Sequence, residues 1–282
     1  MPQLFRALEP ISRPELLSTW SWRKKGPGVS PATNAWWLHE ALWLYKRFPW
    51  LQRHNKTYDS LCAAFDRWLT SQLRPEVDVL YFLSGCGLES LRRMRAWGKS
   101  VVVDAGSTHT DWQHRVVEAE FRRNGLRYPL FPESYRSRVR TEFIEADFLQ
   151  IPSTFVKQTF LAAGITEEKI LMAPYGVDVD QFTPRKEEDI QPMFRVLCAS
   201  GVNLRKGARI LVEAWRKLGW RDTELHWIGW PEGPEVRHLF SEPLRGVVWH
   251  SWKSHGALSA LYRSCDVKVL PSFEEGFARV LV

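Results

Sequence analysis

The stretch Phe194–Trp215 reads FRVLCASGVNLRKGARILVEAW. Phe194–Ala199 is a short run of β-favouring and apolar residues, as expected of a strand. Gly201 and Gly207 bracket a loop, and Ala208–Leu218 then reads as a helix. Strand, glycine turn and helix make the first half of a βαβ unit, which belongs to a parallel sheet covered on both faces. The rhythm continues forward. Strands are expected at Glu224–Ile228, Val247–Trp249 and Asp266–Leu270, with a helix at Ala257–Ser264 between the last two.

It also runs backward. Strands at Val77–Leu83, Ser100–Asp104, Asp147–Ile151 and Lys169–Ala173 alternate with helices at Glu89–Trp97, Asp111–Asn124 and Ser134–Ala146, and with one that Ser153 caps and Gly164 ends. Ahead of them, Leu61, Phe65, Trp68, Leu69 and Leu73 form a helical stripe within Asp59–Leu73. Between the two series lies FTPRKEEDIQP, residues 182–192, charged and bracketed by prolines, which reads as a linker. The fold class is therefore α/β, with two domains in tandem at 1–185 and 186–282. Residues 1–56, with the run WSWRKK at 20–25, yield no readable element.

With 282 residues, 44% hydrophobic and 25% charged, the composition is that of a soluble globular protein. No apolar window approaches the ~20 residues a membrane span requires, and no signal-peptide core follows Met1. The four cysteines, Cys62, Cys86, Cys198 and Cys265, form no C-x-x-C pair and have no histidine at a zinc spacing, so they read as free thiols in a reducing cytoplasm. The net charge of +7 is uneven: residues 1–150 carry 22 Lys+Arg against 16 Asp+Glu, whereas 151–282 carry 17 against 16. A basic first half suits an anionic partner, whether a phosphorylated ligand, a membrane surface or nucleic acid.

Parallel sheets bind ligands at the carboxyl ends of their strands, so the loops there are the candidates. Arg205-Lys206-Gly207 places two cations at a helix start, where unpaired backbone N–H groups already favour an anion, and Gly207 lets the backbone approach it. A diphosphate is the natural guest; the alternative is an ordinary basic loop. Neither the P-loop pattern nor G-x-G-x-x-G is present, since Lys206 precedes Gly207 and Ser90 stands where SGCGLES would need its third glycine. Glu274 and Glu275 follow the last strand; they suit the hydroxyls of a sugar, or serve as first-turn helix residues that offset the macrodipole. His109, in the polar loop DAGSTHTDWQH (104–114), is either a hydrogen-bonding, proton-handling group or a structural histidine.

Together the segments EADFLQIPSTFVKQTF, KILMAPYGVDVDQFTP, RVLCASGVNLRKGARILVEAWRKL, LSALYRSCDVKVLPSFEEGF and ARVLV resemble, in this order, the group 1 (family 4) retaining glycosyltransferases. The resemblance covers residues 60–282. It implies the GT-B architecture of two Rossmann-like domains, the first binding acceptor and the second a nucleotide-sugar, which is a substrate and not a cofactor. It implies that Arg205 and Lys206 hold the donor diphosphate, that Glu275 with Gly276 and Phe277 meets the sugar, and that His109 matches a cleft histidine. Gly201, Gly207 and Glu274 complete the donor-binding set, and no metal is implied. The family signature Glu-x7-Glu begins at Glu275, and its second member would fall at position 283, so the C-terminal domain is expected to be incomplete.

The implied acceptor is a glycan or lipid-linked molecule of bacterial polysaccharide biosynthesis. A cytoplasmic location is expected with it, and a peripheral contact of the basic first domain with anionic membrane. Two other readings stand beside this one: a non-catalytic nucleotide-sugar-binding homologue, and a basic nucleic-acid-binding module. Against the last, the basic residues are scattered and no helix-turn-helix, zinc or RNP pattern occurs, so nucleic acid is not an expected partner.

Overall fold

The computed structural model describes residues 55–282 apart from Pro129, Leu130, Glu232 and Val282, together with Ser12, Leu17, Ser18, Thr33, Asn34, Glu40, Ala41 and Leu44. The stretch WSWRKK lies outside the described residues. After helix α1 (Asn55–Gln72), strands β1 (Val79–Leu83), β2 (Ser100–Asp104), β3 (Phe148–Ile151) and β4 (Ile170–Met172) alternate with helices α2 (Leu88–Ala96), α3 (Thr110–Arg123), α4 (Glu133–Glu145) and α5 (Thr154–Leu161). A second series follows: β5 (Phe194–Ala199), α6 (Ala208–Leu218), β6 (Thr223–Ile228), β7 (Val247–His250), α7 (His255–Arg263) and β8 (Val267–Lys268). The strands form two four-stranded parallel sheets, ordered β1-β2-β3-β4 and β8-β5-β6-β7.

Two compact units result: Met1–Ala105 with Pro129–Gln150 and Ile165–Leu171, and Gly106–Tyr128 with Ile151–Gly164 and Met172–Val282. They are not consecutive in sequence, because Val117 and Phe121 of α3 bury into the same apolar cluster as Val196, Trp227 and Trp215. Within that cluster α6 presents Ala208, Leu211, Val212 and Trp215, all buried and spaced i, i+3, i+4, i+7, so one stripe faces the sheet. Each large side chain so buried is worth about 1.5–3 kcal/mol. The opposite face carries Leu197, Ala199 and Ile228 against Leu258, Leu261 and Tyr262 of α7. The linker 182–192 does not run free; Arg185 pairs with Asp266 at 2.6 Å and Asp189 with Arg263 at 3.2 Å.

In the first unit, two carboxylates hold the loop and helix that follow β1. Asp66 accepts from the backbone N–H groups of Glu89 and Ser90 at 2.7 and 3.0 Å, which anchors the start of α2. Glu142, fully buried, accepts from those of Gly85 and Gly87 at 2.5 and 2.9 Å. Burial pushes its carboxyl up to about 7 despite those two amides, and the charge of Asp66 adds to the rise.

A raised folded-state value means that the folded chain keeps a proton the unfolded chain has released. This contribution is complete below the ordinary 4.5 and is lost as pH rises through about 7. Wild-type stability is therefore expected to lose on the order of 2–3 kcal/mol relative to Glu142→Gln between pH 5 and pH 8. Urea denaturation at several pH values measures it, and parallel profiles for the two proteins would exclude this origin.

Candidate functional site

In the second sheet β5 leads to β6 and β7 on one side, while β8 returns to pair on the other. The loops leaving β5 and β8 thus flank a topological switch point, where open α/β sheets form a crevice. These are the loops 200–207 and 269–278. They are knit together: Phe273 N–H donates to Arg205 O at 2.9 Å, and a Cβ on Gly207 would lie 2.0 Å from Pro271 O. Gly207 also has φ +74°, so both backbone conformation and contact call for glycine there.

The expectation of free amides at the start of α6 is narrowed, because three of the amides there are engaged. Lys206 N–H donates to Asn203 Oδ1 at 3.0 Å, Gly207 N–H to Leu204 O at 2.9 Å and Ala208 N–H to Asn203 O at 3.2 Å. The turn spends these donors on itself, and the cationic side chains carry its charge outward. Glu274 and Glu275 do not open a helix either. Residues 271–278 are irregular, with a 3-10 turn only at Arg279–Leu281.

The reason is Glu274, whose side chain is 0% exposed. Its Oε1 accepts from Ser107 Oγ, Thr108 Oγ1 and Thr108 N at 2.7, 2.8 and 3.3 Å, and its Oε2 from Gln113 Nε2 and Arg205 Nη1 at 3.0 and 3.1 Å. Burial pushes this carboxyl up, but the hydrogen bonds from Ser107, Gln113 and Thr108 and the charge of Arg205 together outweigh it and hold it below the usual range. Expected to bind donor, Glu274 instead has both oxygens engaged by protein groups. It positions Arg205 and its own loop.

Gly276 is equally constrained: a Cβ would meet Gly106 O at 2.0 Å, and its carbonyl accepts from Ser153 Oγ at 2.7 Å. His109 is 6% exposed and is the N-cap residue of α3; its Nδ1 accepts from Asp111 N–H at 3.3 Å. The proton of a neutral ring is thereby assigned to Nε2. Its ring stands edge-on to Phe160, centroids 5.3 Å apart, and the His109 backbone N–H donates to Thr159 Oγ1 at 3.0 Å.

Lys206 and Glu275 meet directly, Nζ to Oε1 at 2.5 Å. Both line a pocket of about 270 Å³ together with Ser200, Gly201, Phe277 and Arg279. Gly201, Lys206, Glu275 and Phe277 thus line one pocket, while Arg205, Gly207, Glu274 and Gly276 belong to the same two loops without lining it. Sequence reasoning missed Ser107, Thr108, Gln113, Asn203 and Ser153, which hold the two loops in place. Ser107, Thr108 and Gln113 offered only their polarity in the loop singled out for His109, Asn203 lay unremarked between Gly201 and Gly207, and Ser153 was read only as a helix cap.

This two-sheet architecture is that of the GT-B glycosyltransferases. The Anabaena protein HepE, solved with UDP and glucose, aligns with a TM-score of 0.53 at 17% identity over 78% of this chain and 59% of its own. Sucrose-phosphate synthase from Thermosynechococcus elongatus aligns with a TM-score of 0.54 at 16% identity over 91% and 60%. Residues 194–282 match the family model described as glycosyl transferases group 1, so the matched segment is the one bearing Arg205, Lys206, Glu274 and Glu275. A D-inositol 3-phosphate glycosyltransferase from Paenarthrobacter aurescens (strain TC1) is 32% identical over 133 residues, 42% of this chain and 33% of its own length. The chain thus spans about a third of that relative and roughly three fifths of the two solved chains.

Proposed function

We propose that the pocket at the carboxyl ends of β5 and β8 is the donor site of a retaining, metal-independent glycosyltransferase. The nucleotide-sugar's diphosphate lies along Arg205 and Lys206, and its sugar hydroxyls meet Glu275 and the loop through Gly276 and Phe277. The observation that carries this reading is the convergence of Lys206 and Glu275 on one pocket, within the segment that matches the group 1 family. HepE, of like fold, was solved with UDP-glucose, which suits a ligand of this class.

The chemistry follows from that placement. As the acceptor hydroxyl, carried by a glycan or lipid-linked molecule, attacks the anomeric carbon from the face the diphosphate leaves, the bond to the diphosphate oxygen breaks, negative charge builds on the departing phosphate, and that phosphate takes up the hydroxyl's proton. The guanidinium of Arg205 and the ammonium of Lys206 offset that charge. Glu274 keeps Arg205 oriented without reorganisation during the step.

Calorimetry with UDP and GDP tests the binding half. Arg205→Ala and Lys206→Ala are each expected to weaken nucleoside-diphosphate binding by roughly tenfold to a hundredfold. Binding that both variants retain at wild-type strength, or a wild type that prefers single-stranded oligonucleotide, would overturn the assignment. Release of nucleoside diphosphate from a nucleotide-sugar separates an enzyme from a mere binder.

A further inference from the structure

We propose that the Lys206–Glu275 ion pair makes this pocket discriminate against a bare nucleoside diphosphate and in favour of one that carries a sugar. The inference rests on the donor-site reading above and concerns how that site chooses between its substrate and the product left after transfer.

Each of the two cations already faces a carboxylate. Arg205 is matched by Glu274, which cannot leave, because three side chains and a backbone amide besides Arg205 hold it. Lys206 is matched by Glu275, at 2.5 Å, with side chains 19% and 25% exposed. Among the described residues this is the only hydrogen bond of the Glu275 side chain. The charge of Lys206 is therefore already matched; of the cations lining the pocket, Arg279 has no carboxylate partner among the described residues and lies over the Tyr175 ring at 5.9 Å. A diphosphate that engages Lys206 must take it away from Glu275.

What happens to Glu275 then depends on the rest of the ligand. With a bare diphosphate the carboxylate loses its partner and stays, largely shielded from water, beside a new negative charge; both effects oppose binding. With a sugar on the diphosphate, hydroxyl groups donate to Glu275 where the ammonium did, and the loss is made good. A site built to hydrogen-bond a hydroxyl disfavours the analogue that lacks it because its own buried group is left unpaired, and an unpaired charge set against the wrong ligand is a general means of selectivity. Glu275 is then a specificity-determining residue as well as a sugar contact, and the pair eases release of the spent nucleotide.

The test compares the 282-residue chain with Glu275→Gln, nearly isosteric and neutral, and with Lys206→Met. Binding is measured by calorimetry for inorganic pyrophosphate and for the pairs UDP/UDP-glucose and GDP/GDP-mannose, with thermal melts confirming folding. Glu275→Gln is expected to bind pyrophosphate and the bare nucleoside diphosphate about tenfold tighter than wild type, and the nucleotide-sugar no tighter, while Lys206→Met weakens all three. If wild type binds nucleoside diphosphate and Glu275→Gln binds it equally or more weakly, the discrimination is refuted while the donor-site reading survives. If neither wild type nor a folded Glu275→Gln binds any of these anions, the donor-site reading itself fails and the inference falls with it.

Discussion

Replacing Glu274 with alanine is expected to destabilise the second unit by roughly 3–5 kcal/mol and to abolish nucleotide binding along with it. The side chain is 0% exposed and gathers Ser107, Thr108, Gln113 and Arg205 around one carboxylate. Removing it leaves a guanidinium only 35% exposed without its counter-charge and three polar side chains without their acceptor. The cost is that of stranded partners rather than of one lost contact. It also frees Arg205 from the rotamer in which Nη1 reaches both the side chain and the carbonyl of Glu274 at 3.1 Å. Glu274→Gln should do less harm. Its carbonyl still accepts from Ser107 and Thr108, but its amide would confront Gln113 and Arg205, donor against donor. Urea melts should rank wild type above Gln and Gln above Ala; an alanine variant as stable as wild type would show that the network contributes nothing.

That network also explains which parts of the molecule could be read from its sequence. β5, the Gly201–Gly207 loop and α6 were legible because their determinants are local: a run of β-favouring residues, turn glycines, and a helix whose buried stripe recurs at 3.6-residue spacing. The segment after Pro271 was not. A carboxylate next to a glycine reads as the start of a helix, but the groups that draw Glu274 inward lie some 160 residues earlier in the chain, and local pattern carries no trace of them. The loop 104–114 shows the same limit from the other side. Its histidine drew notice as a residue type, while the groups that reach Glu274 are a serine, a threonine and a glutamine, which are ordinary surface residues unless their partner is known. Which amides near the start of α6 are engaged could not be assigned either, because that depends on the turn folding back on itself, with the Asn203 side chain on Lys206 N–H and the carbonyls of Leu204 and Asn203 on Gly207 and Ala208.

Gly207→Ala should be nearly as damaging as loss of Glu274, and a second glycine on the same helix supplies its control. Gly207 and Gly219 flank α6 with φ of +74° and +58°, so alanine at either incurs the left-handed penalty of about 1–2 kcal/mol. They differ in surroundings: a Cβ at Gly219 meets nothing within 4 Å, whereas one at Gly207 would sit 2.0 Å from Pro271 O. That carbonyl is backbone and cannot rotate aside, so the loop after β8 must move. Overpacking of this kind adds roughly 1–3 kcal/mol, which brings Gly207→Ala to about 2–5 kcal/mol against about 1–2 for Gly219→Ala. Since Pro271 leads within four residues to Glu275, the displaced loop also parts Glu275 from Lys206. Gly207→Ala should therefore lose nucleotide binding even where it remains folded, while Gly219→Ala keeps it. Equal melting temperatures and equal affinities for the two variants would mean that the loops after β5 and β8 do not touch as described, and that the pocket between them is not held by this contact.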